Sequence, residues 1–340
     1  MTRPHEEELV AQCFHEVVGS PPSSVVTVQP HASERRIYRL AHGQTTLIGV
    51  HNSSKAENDT FVSLARHFKS CGLPVPAIHA YYPDRGVYLE DDLGSTTLLD
   101  YLESRRTETR EPFPREALQA YQKTIEFLPQ FQINAARTLD FSQCLASSGS
   151  FAAMLKRDIE SFVKDLVTRL APSFNTTALQ GDFQTLVDFL SQADASYFLY
   201  RDFQARNVML KDGAPFFIDF QSGTRGPLQY DVASLLYQSS ARIPESDRDT
   251  LLEAYWSCAS SCAQCDKDTF MRFYPGFIVS RMLQVLGVYG RQGLEGKKEY
   301  FTRSIPGALT TLSGSLTDPR FPIKLRGLIE CSQALLQVQA

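Results

Sequence analysis

The chain has 340 residues, too many for one small hydrophobic core, so two lobes or domains are expected. Apolar residues make up 43% and charged residues 21%, as in ordinary globular proteins, and the net charge of −4 does not favour a nucleic-acid partner. No apolar run approaches the length of a membrane span, and the N-terminus lacks the apolar core of a signal peptide, so we expect a cytosolic protein.

Residues 1–91 are predicted to form a helix followed by a small, mainly antiparallel sheet that carries one further helix. Apolar residues recur at helical spacing in residues 5–18 and 56–70, and Gly19 and Gly72 follow these runs. Short apolar runs between turn-forming residues indicate the strands, which we place at 25–28, 36–41, 45–50, 77–82 and 87–90. This part of the chain is therefore expected to fold as a sheet-rich lobe.

Residues 92–340 are predicted to form a larger, mainly helical lobe. Helical periodicity or composition is found at 97–103, 115–131, 151–170, 179–190, 233–239, 247–262, 270–289 and 323–337. A stretch of short strands, residues 197–231, interrupts these helices. The predicted fold class is therefore α+β, with two lobes that divide at residue 91.

The interrupting stretch contains a predicted β-hairpin. Two apolar runs, 208–210 and 215–218, flank Asp212-Gly213, a dipeptide suited to a two-residue turn because both residues need positive φ. With this turn, Asn207 lies opposite Ile218, and Asp219 follows at the same end of the hairpin. Asp202 is one short loop away, so three oxygen-bearing side chains are expected to come close together.

An Asp, an Asn five residues later and a second Asp beyond a hairpin have a known chemical use. A carboxylate and an amide oxygen hold Mg²⁺ on the phosphates of ATP, while the separate Asp orients and deprotonates a hydroxyl. The spacing alone occurs by chance in loops. The full set adds an aromatic strand, the hairpin, Ile218-Asp219-Phe220 and a further Asp231, and it predicts a kinase catalytic segment.

The cysteines and histidines do not predict a different chemistry. Seven scattered cysteines fit reduced thiols better than a disulfide framework. Cys258, Cys262 and Cys265 have the spacing of an iron–sulfur motif, but the same spacing places them on one face of a predicted helix, and we favour buried thiols. All histidines lie between His5 and His79, away from the hairpin, which argues against a zinc site or a Ser-His-Asp triad there.

Several further segments resemble those of a known kinase family. They are Ser-Glu-Arg-Arg-Ile-Tyr-Arg-Leu at 33–40, Leu-Pro-Val-Pro at 73–76, Tyr-Leu-Glu-Asp-Asp-Leu-Gly at 88–94, Tyr-Arg-Asp-Phe-Gln-Ala-Arg-Asn at 200–207, Ile-Asp-Phe-Gln at 218–221, Arg-Gly-Pro at 225–227 and Tyr-Asp-Val-Ala-Ser-Leu at 230–235. With them the chain resembles the aminoglycoside phosphotransferase and choline kinase family. It is most similar to the branch of cytosolic kinases that phosphorylate the anomeric hydroxyl of N-acetylmuramate and N-acetylglucosamine in cell-wall recycling.

The resemblance covers about residues 30–310 and implies a protein-kinase-like fold with ATP and Mg²⁺ as cofactors. It implies Asp202 as the catalytic base, Asn207 and Asp219 as Mg²⁺ ligands and Asp231 as a structural anchor of the catalytic loop. The implied nucleotide-binding residues are, over the phosphates, Ser33, Arg35 and Arg36 and, around adenine, Leu89, Glu90 and Asp91. Residues 1–91 would then be the nucleotide-binding lobe and residues 92–340 the catalytic and substrate-binding lobe.

Two departures from the family pattern are visible. Tyr200 stands where the family usually has His, a scaffold position that tolerates Tyr. The third strand, residues 45–50, carries no Lys, although most kinases grip the nucleotide phosphates with a Lys there. The sugar-kinase branch also lacks that Lys. Arg35, Arg36 or Lys55 could supply the charge, or each could be a solvated surface residue.

Residues near the motif that could contact sugar or phosphate are Arg201, Gln204, Arg206, Gln221 and Arg225. Arg206 could instead pair with Asp219 across the hairpin. Residues 281–303 hold five basic and two acidic residues, which favours a neutral or anionic acceptor over a polycation if this region lines the cleft. These charges could also simply face water.

Three functions therefore stay open. The chain could phosphorylate an amino sugar, or it could act on another small hydroxyl compound such as an aminoglycoside, choline or a hydroxylated amino acid. It could also be a pseudokinase that binds nucleotide or a partner without catalysis. The missing strand Lys supports the pseudokinase, and the complete set of Asp202, Asn207 and Asp219 counts against it. The sequence leaves the acceptor and the oligomeric state open.

Overall fold

A twisted antiparallel sheet and two helices form the first lobe. In the computed structural model, which describes residues 4–28, 35–145 and 149–339, five strands pair in the order β1-β2-β3-β5-β4. These strands are β1 (Ser24–Val28), β2 (Arg36–His42), β3 (Thr45–His51), β4 (Ile78–Tyr82) and β5 (Val87–Asp91), and the helices are α1 (Pro4–Val18) and α2 (Lys55–Ser70). One face of the sheet is covered by α1, whose Val10 and Phe14 are fully buried there.

Helix α2 lies between the sheet and the helical lobe. Its buried face carries Phe61, which stacks on Tyr88 of β5 with ring centres 5.0 Å apart. Two turns further along α2, Phe68 meets Phe131 at 5.0 Å and Phe198 at 5.2 Å, both in the second lobe. Aromatic rings bury large apolar areas, so this single helix ties the two lobes into one core.

The second lobe consists of helices around a few short strands. The helices are α3 (Leu98–Thr109), α4 (Arg115–Pro129), α5 (Phe151–Ser161), α6 (Thr168–Leu170), α7 (Leu179–Leu190), α8 (Leu228–Leu236), α9 (Glu245–Ala259), α10 (Lys267–Tyr289), α11 (Glu299–Thr317) and α12 (Arg326–Gln339). The strands pair in twos, β6 (Tyr197–Leu199) with β9 (Thr224–Gly226) and β7 (Val208–Lys211) with β8 (Ala214–Phe217). Helix α10 is buried on almost every side and forms the centre of this lobe.

The β7–β8 hairpin is bonded to the segment that connects the lobes. The amide of Leu210 donates to the carbonyl of Thr96 (2.9 Å), and the Lys211 ammonium donates to the carbonyl of Asp92 (3.0 Å). On the other strand, the amide of Phe217 donates to the carbonyl of Pro74 (2.9 Å). Residues 92–97, here called the linker, therefore lie along one edge of the hairpin.

The predicted fold class is confirmed, and the predicted division at residue 91 coincides with the end of β5. The sequence analysis missed α11, because Pro306 lies inside the helix and is a poor helix former. In addition, a π-helical segment, Phe162–Val167, follows α5 where one continuous helix was predicted. No helix in the described part of the chain has both the length and the apolar character needed to cross a membrane.

The expected helix face of cysteines is wrong for two of the three thiols. Helix α9 ends at Ala259, so only Cys258 is helical, and Cys262 and Cys265 lie in the turn that leads to α10. Asp266 caps α10 by accepting a hydrogen bond from the amide of Thr269, so residues 260–266 belong to neither helix. All three thiols are free and half-buried.

Candidate active site

The β7–β8 hairpin has the predicted turn and register. Asp212 (φ 53°) and Gly213 (φ 75°) both have positive φ, as a two-residue turn of this kind requires. The amide of Ile218 donates to the carbonyl of Asn207 (3.1 Å), which continues the strand pairing toward the open end. Asp219 follows directly, so the hairpin brings the Asn and the Asp to the same end.

Asp231, at the start of α8, holds the loop that carries Asp202. Its fully buried carboxylate accepts hydrogen bonds from the amides of Tyr200 (2.7 Å) and Arg201 (2.9 Å), and from the side chain of Gln132 (3.2 Å). Burial raises the pKa of Asp231 to about 7, although these hydrogen bonds lower it. The Tyr200 hydroxyl donates to the carbonyl of Ile218 (2.6 Å), which joins the loop to the hairpin.

Phe220 fixes the backbone that presents Asp219. Its ring stacks on Phe61 of α2 at 4.9 Å and meets Phe68 edge-on at 5.4 Å, and its side chain is fully buried. Asp219 has φ 67°, a conformation that residues with a β-carbon rarely adopt. The burial of the neighbouring ring therefore compensates for local strain and aims the Asp219 carboxylate into the cleft.

Asp202, Asn207 and Asp219 come together with two glutamines. The amide nitrogen of Asn207 donates to the backbone carbonyl of Asp202 (2.9 Å) and to Oδ2 of Asp219 (3.3 Å). Gln221 donates to Oδ1 of Asp219 (2.7 Å), and Gln204 donates to Oδ1 of Asp202 (3.3 Å). The carboxylates of Asp202 and Asp219 stay partly exposed, at 29% and 37%, so a ligand can reach them.

Arg281 of α10 lies beside Asp202 and was not singled out from the sequence. Its guanidinium is 2% exposed and approaches Oδ1 of Asp202 to 3.8 Å, while it donates to Gln284 (2.7 Å). Burial raises the pKa of Asp202, the Arg281 charge lowers it, and the Asp219 charge raises it further, with a net rise. The signal in the sequence was only the excess of basic residues between 281 and 303.

Arg35 and Arg36, both predicted to bind nucleotide, point to different places. Arg35 donates to Oδ1 of Asp219 (3.2 Å) and is 13% exposed, so it belongs to the cluster. Arg36 lies 3.8 Å from Glu6 of α1 and is half exposed, away from that cluster. Ser33, the third predicted residue, lies outside the described part of the chain.

Leu89, Glu90 and Asp91, the predicted adenine-binding segment, form the end of β5. Strand β5 lies between β3 and β4, so the backbone of Leu89 and Glu90 faces a paired strand on both sides. The amide of Asp91 donates to the carbonyl of Ala77 (3.1 Å). These backbone groups therefore face other strands, and the linker is the first segment beyond both strands. The adenine-binding role of the three residues stays a prediction. The buried Glu90 carboxyl has a pKa raised to about 8 by desolvation.

Two of the predicted substrate-binding arginines have structural partners instead. Arg201 makes a bidentate ion pair with Asp158 of α5, in which its two terminal nitrogens lie 2.9 and 2.7 Å from the carboxylate oxygens. Arg225 donates to the carbonyl of Ser196 (3.1 Å), and its guanidinium covers the ring of Phe141 at 3.8 Å. The ion pair holds Arg201 against α5, and the stacking holds Arg225 against Phe141, so we do not retain either as a substrate ligand.

Arg206 does not pair with Asp219 across the hairpin. It donates to the hydroxyl of Tyr300 (2.7 Å) on α11 and lies over that ring at 5.2 Å. The alternative suggested by the hairpin register is therefore wrong, because the side chain turns outward to α11, the helix that the sequence analysis missed. The contact brings α11 to the edge of the loop that carries Asp202.

A sheet-rich lobe, a helical lobe and an Asp-Asn-Asp cluster between them define a protein of the protein-kinase-like class. Residues 26–261 match the Phosphotransferase enzyme family, and the chain belongs to this family. The resemblance noted from the sequence is thereby confirmed, and the chain is a phosphotransferase.

Named relatives and solved structures agree with this assignment. The chain is 27% identical over 297 residues to an N-acetylmuramate/N-acetylglucosamine kinase of Pseudomonas aeruginosa, covering 84% of this chain and 80% of that protein. It is 26% identical over 278 residues to the kinase of the same name from Pseudomonas putida, covering 80% and 77%.

Two solved structures share the fold at low sequence identity. A choline kinase from Streptococcus pneumoniae has a TM-score of 0.63 at 13% identity, covering 91% of this chain and 99% of that one. A spectinomycin phosphotransferase in complex with ADP and spectinomycin has a TM-score of 0.61 at 11% identity, covering 98% and 100%. These similarities confirm the fold of the chain.

Proposed function

We propose that the protein is an ATP- and Mg²⁺-dependent kinase that transfers the γ-phosphoryl group to a sugar hydroxyl, the anomeric hydroxyl of N-acetylmuramate or N-acetylglucosamine. The observation that carries this proposal is the convergence of Asp202, Asn207 and Asp219 through the side-chain amide of Asn207. The amino-sugar acceptor is supported by the relatives, which are named as kinases of these two sugars and match most of the chain.

Asn207 and Asp219 would hold the metal ion. Both bonds of Asn207 use its amide nitrogen, so its Oδ1 oxygen and the Asp219 carboxylate form the oxygen donor set that Mg²⁺ prefers. Within the described chain, Oε1 of Gln221 is buried and lacks a hydrogen-bond partner, which fits a nearby cation or its water. Bound there, magnesium would neutralise charge on the nucleotide phosphates.

Asp202 would orient the acceptor hydroxyl and accept its proton. An anomeric hydroxyl is more acidic than an ordinary alcohol, so orientation contributes more than basicity. The carboxylate is partly exposed on the cleft side, and Gln204 and Arg281 contact it from the helical lobe. These two contacts would hold the carboxylate in a single orientation toward the acceptor.

The wall of the helical lobe beside Asp202 suits a neutral or anionic acceptor. Gln204 and Arg281, which contact Asp202, also line a small polar pocket. Its other polar residues are Ser234, Gln238 and Tyr289, with Tyr237 and Ser239. No Asp or Glu is found among the described residues that line it. The cavity itself, at about 10 Å³, has room for one water molecule and not for a sugar. Its hydroxyls, amides and buried arginine make this wall polar without a carboxylate of its own, whereas a polycationic aminoglycoside would need carboxylates.

The test is phosphoryl transfer with an acceptor panel. The protein is incubated with ATP, Mg²⁺ and N-acetylmuramate, N-acetylglucosamine, an aminoglycoside or choline, and products are followed by phosphorus NMR. We expect an anomeric phosphate, which is recognised by its lability in acid. Transfer to the aminoglycoside or choline without transfer to either sugar would overturn the acceptor assignment.

Asp202→Asn tests the proposed catalytic residue. We expect kcat to fall by about 10²- to 10⁴-fold, because the amide cannot accept the proton. Asp212→Asn is the matched control, since Asp212 lies exposed at the hairpin turn and Asn tolerates positive φ equally well. Unchanged turnover in Asp202→Asn would exclude Asp202 as the catalytic base.

A further inference from the structure

The third strand lacks the residue that binds the nucleotide phosphates in most kinases. In kinases a Lys on this strand grips the nucleotide phosphates and pairs with a Glu on the following helix. Strand β3 reads Thr-Thr-Leu-Ile-Gly-Val-His and contains no Lys or Arg. The Glu that would pair with this Lys is nevertheless present, since Glu57 lies in the first turn of α2.

Arg35 brings a positive charge to the same place from the neighbouring strand. It directly precedes β2, whose first residue, Arg36, pairs with His51 at the end of β3. The NH2 group of Arg35 lies 3.2 Å from Oδ1 of Asp219, and its Nε lies 3.8 Å from Oε2 of Glu57. One guanidinium thus connects the helix carboxylate with the proposed metal ligand.

Glu57 is itself held in place. Asn52 donates to Oε2 of Glu57 (2.8 Å), and the Ser54 hydroxyl caps α2 by accepting from the Glu57 amide (3.4 Å). The carboxylate that meets Arg35 is therefore fixed by the loop between β3 and α2. Arg35 is 13% exposed, so its ion pairs are screened less by water than those of a surface residue.

The other two cations considered from the sequence have partners elsewhere. Arg36 is 51% exposed and faces Glu6 of α1 at 3.8 Å. Lys55 is 61% exposed and pairs with Asp59 one turn along α2, at 2.7 Å. Neither contact includes Asp219.

We propose that Arg35, positioned by Glu57, takes the place of the strand Lys and binds the nucleotide phosphates beside Asp219. This inference rests on the proposed kinase function. A guanidinium can keep one nitrogen on Glu57 while others bind phosphate oxygens, which the compact ammonium group of Lys does less well. The absence of the strand Lys then no longer supports a pseudokinase, because the residue that precedes β2 supplies the charge.

Equilibrium binding of the non-hydrolysable ATP analogue AMP-PNP with Mg²⁺, measured by calorimetry, tests the proposal without turnover. We expect Arg35→Gln to weaken binding by about 10- to 100-fold and Arg35→Lys to lie between this variant and the unchanged protein. Arg36→Gln is the matched control and should stay within about 2-fold. Equal affinity of Arg35→Gln and the unchanged protein would overturn the proposal.

Glu57→Gln separates positioning from folding. Gln has nearly the same shape as Glu and keeps an oxygen that can accept from Asn52, so the fold should persist, as checked by thermal unfolding without nucleotide. We expect a rise of several-fold in KM for ATP with a smaller change in kcat, since the guanidinium loses its tether. If Arg35→Gln does not fold, Glu57→Gln decides the question. An unchanged KM for ATP and an unchanged AMP-PNP affinity in Glu57→Gln would overturn the proposal.

The outcomes also separate this inference from the proposed function. If the unchanged protein binds AMP-PNP but phosphorylates neither amino sugar, the acceptor proposal fails, and the Arg35 variants still decide the inference. If the unchanged protein binds no nucleotide, both are overturned.

Discussion

Asp202 lies between two charges with opposite effects on its proton affinity. Arg281 stabilises the charged carboxylate from one side, while Asp219 and burial favour the neutral acid. Groups that transfer protons are often found in surroundings that shift the pKa in this way. The balance between the charged and the neutral form of Asp202 therefore depends on one buried arginine, Arg281, which can be replaced by mutation.

Arg281→Gln should move the acidic limb of the pH–rate profile to higher pH. Asp202 must be deprotonated to accept a proton, its pKa is already raised, and loss of the arginine raises it further. The measurement is kcat/KM between pH 5 and 9.

Arg303→Gln serves as the control for this variant, since Arg303 is 76% exposed and pairs only with Glu299 among the described residues. A limb that stayed in place or moved to lower pH in Arg281→Gln would contradict the stated role of Arg281. Thermal unfolding of both variants reports on any loss of folded protein.

For single residues, the sequence predicted those positions that depend on local backbone geometry. Asn207 and Asp219 were placed correctly because an Asp-Gly turn fixes the register of a short hairpin. Arg281 and the pairing of Arg35 with Glu57 were not foreseen, since they depend on how distant elements pack. Arg201 and Arg225 looked available only because their structural partners are remote in sequence.

At its C-terminal end, α10 lies close to the backbone of the segment that follows α5. The carbonyl oxygen of Asp165 would lie 2.3 Å from a β-carbon at Gly290, and the amide of Leu166 would lie 2.9 Å away. Gly290 has ordinary helical φ, so the need for glycine is steric. The opposing backbone belongs to the π-helical segment after α5, and the missing β-carbon of Gly290 leaves room for it.

Gly290→Ala should destabilise the protein by about 1–3 kcal/mol, because backbone atoms must move to admit the methyl group. Gly314→Ala is the matched control: Gly314 lies inside α11 with open space around it, so alanine should be neutral or stabilise by up to about 1 kcal/mol. Urea unfolding of the two variants provides the comparison. Equal stability would mean that the close approach does not exist.

Helix prediction succeeded where apolar periodicity was regular and failed where it was interrupted. Helix α11 was missed because Pro306 and two glycines, Gly307 and Gly314, weaken its intrinsic helix propensity. Its apolar side is buried all the same, with Leu309 and Leu312 fully covered, so tertiary packing overrides the local preference.

Across the whole molecule, the proposed nucleotide site is assembled from both lobes. Arg35 comes from the sheet-rich lobe and Asp219 from the helical lobe, and they meet at 3.2 Å. A ligand that contacts both lobes would bind the folded protein and not the unfolded chain. Such binding raises the free energy of unfolding of the whole molecule.

AMP-PNP with Mg²⁺, at 100 times its Kd, should therefore stabilise the protein by about 2.7 kcal/mol. Asp219→Asn should lose the part of this stabilisation that depends on Mg²⁺, whereas Asp212→Asn should retain it. Thermal scans with and without Mg²⁺ measure the difference. An equal effect of Mg²⁺ in both variants would contradict the placement of the metal at Asp219.

The bonds between the linker and the β7–β8 hairpin have a mechanical consequence. Residues 92–97 do not act as a loose tether, since Thr96 and Asp92 are fastened to the strand that follows Asn207. Any rotation of one lobe against the other would pivot at this fastened side of the cleft. The Asn207–Asp219 pair lies on the hairpin at the pivot, while β1, three strands from β5, would travel farthest. Opening the cleft would thus begin at its outer edge and leave Asn207 and Asp219, the proposed metal ligands, in place.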